Sequence, residues 1–80
     1  MMDKNLTFRY DQVEDILYLD LCSPYEEQES EEIRDEIIAR FNPDSNEVEN
    51  LEILFFSKCF TEKPLFELPI IADLKLAGWR

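Results

Sequence analysis

Hydrophobic and polar positions alternate in short runs along most of this chain. Period-two alternation is the mark of half-buried β-strands. Residues 6–10 place Leu6, Phe8 and Tyr10 on one face and Thr7 and Arg9 on the other. Residues 16–21 repeat the pattern, with Leu17, Leu19 and Leu21 together. Between these runs, Asp11 and Glu14 have the spacing of a capping box, which fits a tight turn or one helical turn. So short a connection makes the two strands an antiparallel pair.

The stretch after Ser23-Pro24 supports two readings. As a helix over 24–41, Ser23 is the N-cap, Pro24 the first helical residue, and Glu26 closes a capping box. Ile33, Ile37, Ile38 and Phe41 then share a face, and the protein is α+β. As loop plus strand, Glu26 to Glu32 is solvated and 33–41 extends, with Ile37, Ala39 and Phe41 inward. The run 42–46 (NPDSN) is a turn by composition, and 47–56 is rich in β-formers, with Leu51, Ile53 and Phe55 on one face. A turn between two apolar segments is a hairpin signal, which requires the residues before Asn42 to be extended. The strand reading is therefore adopted.

Residues 57–64 read as a connection with room for one helical turn. Residues 66–76 alternate, with Phe66, Leu68, Ile70, Ala72, Leu74 and Leu76 on one side. Pro69 cannot donate to a ladder, so this strand belongs at an edge; a helix starting at Pro69 is the alternative. The expected fold is mainly β: one domain over 1–80, an antiparallel β-meander of about five strands (6–10, 16–21, 33–41, 47–56, 66–76) with little helix. One face carries Leu6, Phe8, Leu17, Leu19, Ile37, Phe41, Leu51, Ile53 and Phe55. Pleating puts Ile16, Tyr18, Ile38, Leu54, Phe56 and Ile71 on the other, a candidate interface. A one-sided antiparallel sheet should be polar on its wet face. Cover for the apolar surface would come from the C-terminal segment, a second copy or another protein.

Charge narrows the function. The chain has 19 Asp and Glu against 8 Lys and Arg, a net charge of −11, and no His. An acidic surface disfavours direct binding to nucleic acid, which runs on a basic one. Without His the usual general base and the commonest metal ligand are gone, so the chain reads as a non-enzyme without cofactor. At 45% hydrophobic it is too apolar for a disordered acidic tail. No apolar run approaches the roughly 20 residues that span a bilayer, and the N-terminus has no signal-like apolar core. These features predict a cytoplasmic protein with Cys22 and Cys59 reduced. The densest acidic run contains Glu26, Glu27, Glu29, Glu31 and Glu32, a candidate for steering a basic partner.

Other chemistry is weakly signalled. Asp11, Glu14 and Asp15 could offer oxygens to a hard cation, but calcium loops need more ligands and a Gly at the bend. In the Asp44–Asn46 turn the required twelfth-position Glu falls on Phe55. Cys22 and Cys59 have no His to generate a thiolate, which disfavours reactive thiols. The only Gly is Gly78, so no glycine-rich phosphate loop exists.

Tyr10-Asp11 followed by Asp15-x-Leu17-Tyr18-Leu19 resembles the opening of a family of small bacterial proteins, domain of unknown function 2283. Its members continue through an acidic stretch, a strand, an Asp/Gly-rich turn and a strand ending Gly-Ile-Glu-Ile-Leu. Here the turn is Asn42–Asn46 and the last strand contains Val48 to Leu54. The likeness covers roughly residues 6–57. The tail around Phe66–Pro69 resembles an extension of cyanobacterial members. Asn50 stands where Gly is usual, and the turn lacks its Gly, although Asn tolerates positive φ. The resemblance implies a β-meander, no established activity, and an antitoxin-like role by association with small toxin-like proteins.

Three functions follow as expectations. The first is a non-enzymatic interaction module that binds a basic protein as an inhibitor or antitoxin does. The second is a self-assembling structural protein, a dimer through its own apolar second face. The third is a weak divalent-metal or small-ligand binder at Asp11, Glu14 and Asp15.

Overall fold

A computed structural model of the chain describes residues 5–77. Five antiparallel strands form one sheet: β1 (Thr7–Asp11), β2 (Ile16–Asp20), β3 (Glu29–Arg34), β4 (Ile37–Phe41) and β5 (Val48–Leu54). A single 3-10 turn follows at Phe56–Lys58. The mainly-β expectation holds, and the helix over 24–41 does not form. The strands themselves differ in three respects.

First, the segment expected as one strand over 33–41 is broken by the turn of a hairpin that spans 29–41. Its two arms are β3 and β4, joined at Asp35-Glu36. Glu36 takes φ 67°, the left-handed region that costs a non-glycine residue about 1 kcal/mol. Its amide donates to Glu32 Oε2 at 3.2 Å, and its carbonyl accepts from Leu54 N–H at 2.8 Å. A bulge between Glu32 and Arg34 absorbs the tight reversal. Asp-Glu is not a customary turn pair, so composition gave no sign of it. Glu29 to Glu32, part of the acidic stretch expected as a solvated loop, thereby belong to an edge strand.

Second, the strand order is β1-β2-β5-β4-β3, not the sequential order of a meander. β2 lies beside β5, and residues 21–28 cross the end of β5 and β4 to start β3 at the far edge. That crossing spans three strand spacings, about 14 Å. Eight residues reach it easily, since an extended chain covers about 3.3 Å per residue.

Third, residues 66–76 carry no strand. The alternation survives in part: Phe66, Leu68 and Ile70 pack on the core, while Leu65, Glu67, Pro69 and Ile71 face out. Ile70 N–H donates to Leu68 O at 2.8 Å across Pro69, a γ-turn that takes the place of ladder pairing. Beyond Ile70 the pattern ends, and Leu74 and Leu76 are exposed.

The register fixes the two faces. Phe8, Leu19, Leu51 and Ala39 form one row, and Tyr10, Leu17, Ile53 and Ile37 the next. Ile37, Ala39, Leu51 and Ile53 are the buried core, covered by the C-terminal segment through Phe66, Leu68 and Ile70. A run of edge-to-face rings brings that segment over from β1. Tyr10–Phe56, Phe56–Phe60 and Phe60–Phe66 have centroids 5.7, 5.8 and 6.3 Å apart. Of the three candidate covers, the C-terminal segment supplies the one over this face, as a strap rather than a barrel-closing strand.

Candidate interaction surface

The Tyr-Asp…Asp-x-Leu-Tyr residues build the β1–β2 turn and tie it down. Asp11 Oδ1 accepts from the amides of Val13 and Glu14, both at 3.0 Å. Asp15 takes φ 59° and becomes a hub. Its carboxylate accepts from Tyr10 Oη at 2.6 Å, Ser57 Oγ at 2.7 Å and Ser57 N–H at 2.9 Å. The Ser57 hydroxyl, with Tyr10 beside it, holds the Asp15 carboxyl below its ordinary range, and the same contact pushes the Tyr10 phenol up. Asp15 thus fastens the turn to the 3-10 element that follows β5. Leu17 packs on the covered face, while Tyr18 lies on the other under the Arg9 guanidinium, 3.9 Å from the ring centroid. These carboxylates are spent on turn geometry. Among the described residues no group of three or more His, Cys, Asp or Glu is placed to hold a metal ion.

A second polar cluster clamps the long crossover to the sheet. A register shift between β4 and β5 sets Glu49 beside the buried Asn50. Asn50 Nδ2 donates to Asp20 Oδ1 at 2.9 Å and to Cys22 O at 2.7 Å. Its Oδ1 accepts from Gln28 Nε2 at 2.7 Å. Glu49 accepts from Tyr25 Oη at 2.7 Å, Gln28 Nε2 at 2.9 Å and Asn42 Nδ2 at 3.2 Å. Sequence reading passed over Tyr25, Gln28, Glu49 and Asn50. The one hint was Asn50 at a place where the family resemblance expects Gly. Asn50 keeps an ordinary strand φ, and the positive φ of the nearby turn falls on Asn46, at 67°.

The Glu49 carboxylate pushes the Tyr25 phenol up to about 12, with desolvation adding to the effect. A raised phenol pKa means the folded state holds its proton more tightly than the unfolded chain. The stability this contributes is fully present below the ordinary value of 10.0 and is lost as pH rises through about 12. Ultraviolet titration should show a tyrosinate step near 12 that a Tyr25→Phe variant lacks. A Tyr25 step at the ordinary value would disprove the clamp.

The expected second-face interface is partly rearranged. Ile16, Tyr18, Ile38 and Leu54 do share that face, through the rows Ile16–Leu54 and Tyr18–Glu52–Ile38. All four are half-buried, not broadly exposed. The face is also more polar than expected. Arg40 Nη2 meets Glu52 Oε2 at 2.8 Å, and Arg9 meets Asp20 at 3.3 Å. Phe56 does not belong there. The chain turns at Phe55, φ 54°, and delivers Phe56 to the aromatic run beside Tyr10. Ile71 is in the C-terminal strap and fully exposed.

The acidic residues are brought together. Glu26 and Glu27 sit in the exposed turn before β3, and Glu29, Glu31 and Glu32 are exposed along β3 itself. β3 is an edge strand, paired on one side only, with β4. Glu31 projects on the face of Ala39, and Glu32 on that of Ile38. Carboxylates thus flank the free backbone edge above and below. Cys22 and Cys59 form no disulfide, and burial pushes the Cys59 thiol up, with Glu36 and Asp15 adding to it.

No described helix is long and apolar enough to cross a membrane. A family model described as "Protein of unknown function (DUF2283)" matches residues 7–57, which takes in all five strands and ends within the 3-10 turn. No curated protein and no solved structure matches the chain.

Proposed function

This chain belongs to that family of unknown function, and on this premise we propose that it is a non-catalytic interaction module that takes up a basic, extended segment of a partner protein along β3. The observation that carries the reading is the combination at one edge: a six-residue strand with an unpaired outer backbone and three exposed glutamates. An edge strand is a template for pairing. The three glutamates, against a single cation at Arg34, disfavour pairing of this strand with its own copy, because like charges placed opposite each other repel. The same charges favour a strand that carries Lys or Arg. Backbone hydrogen bonds then supply affinity and the glutamates supply selectivity. Glu26 and Glu27 extend the negative field and speed encounter. Neutralisation of a basic protein in the cytoplasm, as an inhibitor or antitoxin does it, is the role this surface suits.

The test uses a synthetic peptide of alternating Lys and Val, with an alternating Glu and Val peptide as control. Nuclear magnetic resonance shifts should concentrate on residues 29–34 with the basic peptide alone. The association rate should fall as salt rises, and should drop about tenfold in a variant with Glu29, Glu31 and Glu32 all changed to Gln. Shifts that map elsewhere, or an unchanged rate in the variant, would overturn the proposal.

A further inference from the structure

The opposite edge of the sheet differs in kind. β1 pairs only with β2, and among the described residues nothing else bonds to its backbone. Its outward-pointing groups can be worked out. Leu21 N–H donates to Glu49 O, so the odd-numbered residues at this end of β2 direct their backbone toward β5. The even-numbered residues of β2 then bond to β1. They lie opposite Thr7, Arg9 and Asp11. In an antiparallel ladder the bonding direction alternates along the strand. Phe8 and Tyr10, with Leu6 before them, therefore turn their N–H and C=O groups outward. These are also the residues whose side chains are apolar and open to solvent: Phe8 is 62% exposed, and Leu6 and Tyr10 nearly half.

We infer that β1 is a self-association edge and that two copies of this chain join β1 to β1 in antiparallel fashion, with the two-fold axis at Phe8. Symmetry leaves few registers, and charge selects among them. An axis at Arg9 sets two guanidinium groups opposite each other, which is repulsive. An axis at Tyr10 pairs Phe8 with Gln12, beyond the end of the strand, and leaves Leu6 uncovered. An axis at Phe8 puts Phe8 against Phe8, Leu6 against Tyr10 on the same face, and Thr7 against Arg9 on the other. No like charges meet. The outward groups of residues 6, 8 and 10 fall at hydrogen-bonded positions in this register. The acidic β3 edge offers no comparable register: every two-fold β3–β3 pairing that overlaps more than three residues of the strand sets glutamate against glutamate, and the short one centred on Ile33 brings Glu31 against Asp35. The result is a ten-stranded sheet with an acidic β3 at each end. The β1 edge lies across the sheet from the proposed basic-segment site, and pairing there does not depend on that site.

The interface is small, at the low end of the range for specific association, so the dimer dissociates on dilution. Sedimentation of the full chain from low micromolar to near-millimolar concentration should show a monomer–dimer equilibrium. Phe8→Lys, which sets two ammonium groups on the axis, should weaken the dimer by about tenfold or more. Phe8→Pro should do the same. It removes an outward N–H and leaves the β1–β2 ladder intact, so circular dichroism should keep the sheet signal. Glu32→Lys, at the other edge, should leave dimerisation in place. In a Cys22→Ser/Cys59→Ser background, Phe8→Cys should oxidise to a covalent dimer, since hydrogen-bonded antiparallel pairs have Cα atoms about 5.5 Å apart, within disulfide reach. A monomer at every concentration, or a dimer indifferent to both Phe8→Lys and Phe8→Pro, would overturn the inference. So would a failure of Phe8→Cys to cross-link while the dimer persists.

Discussion

Replacing Ile37 with alanine is expected to remove most of the stability of this domain. Ile37 is 2% exposed. It sits opposite Ile53, and Ile33 and the C-terminal residues Phe66, Leu68 and Ile70 pack against the cluster that contains it. Truncating a buried Ile costs about 2–5 kcal/mol, the lost transfer energy plus the cavity left behind. A single core at this size supplies only about 3–5 kcal/mol in total. Urea unfolding should therefore show a transition shifted to low denaturant, or none. The neighbour is the control. Ile38 points to the opposite, half-buried face, and Ile38→Ala should cost about 1 kcal/mol, since less of its surface leaves water. Equal losses at the two positions would mean that the register is wrong, because a slip of one residue exchanges the faces.

The second large effect is expected at Asn50, also 2% exposed. Asn50→Leu keeps the branching and the heavy-atom count but strips Cys22 O of the donor described for it and removes one partner each from Asp20 and Gln28. Leaving buried polar groups unmet costs about 1–3 kcal/mol for each group affected. We expect a net loss of about 2–3 kcal/mol in urea unfolding, and faster amide exchange over residues 21–28, because their attachment to β5 is what fails. A neutral or stabilising Asn50→Leu would show that the crossover is held by its own packing. Among the described residues no buried side-chain nitrogen or oxygen lacks a partner in the native fold.

Much of the architecture was legible because it is local. The alternations in 6–10, 16–21 and 47–56 became β1, β2 and β5 with boundaries moved by no more than two residues. Asp11 and Glu14 did mark a turn, and the hairpin signal around Asn42–Asn46 correctly favoured strand over helix for the residues before it. The hairpin turn inside 33–41 was hidden. Its turn pair, Asp35-Glu36, carries no Gly or Asn, and the left-handed Glu36 is held by contacts from Glu32 and Leu54. At 66–76 the inward positions Phe66, Leu68 and Ile70 were legible, while the missing ladder was not. Alternation reports which side chains face a core, and it does not report what the backbone bonds to.

The candidate surfaces divide in the same way. Glu29, Glu31 and Glu32 were visible as a charge run, but their place on a free sheet edge depends on the 1-2-5-4-3 order. Phe56 shared a parity with Leu54 and was expected on the second face. The left-handed Phe55 breaks that parity and sends Phe56 to Tyr10.

The sequence by itself determined that this is a small acidic β protein, which residues of β1, β2 and β5 face its core, and which family it resembles. Those properties follow from composition and from side-chain period, both carried within a few consecutive residues. Only the tertiary structure decided that β2 lies against β5, that Glu49 and Asn50 anchor the crossover, that the C-terminal strap covers the core, and that the sheet ends in one apolar and one acidic edge. Strand order is set by which long-range pairing buries the most apolar surface and leaves the fewest backbone groups unmet. That comparison is made over the whole chain, and no local run of residues records its outcome.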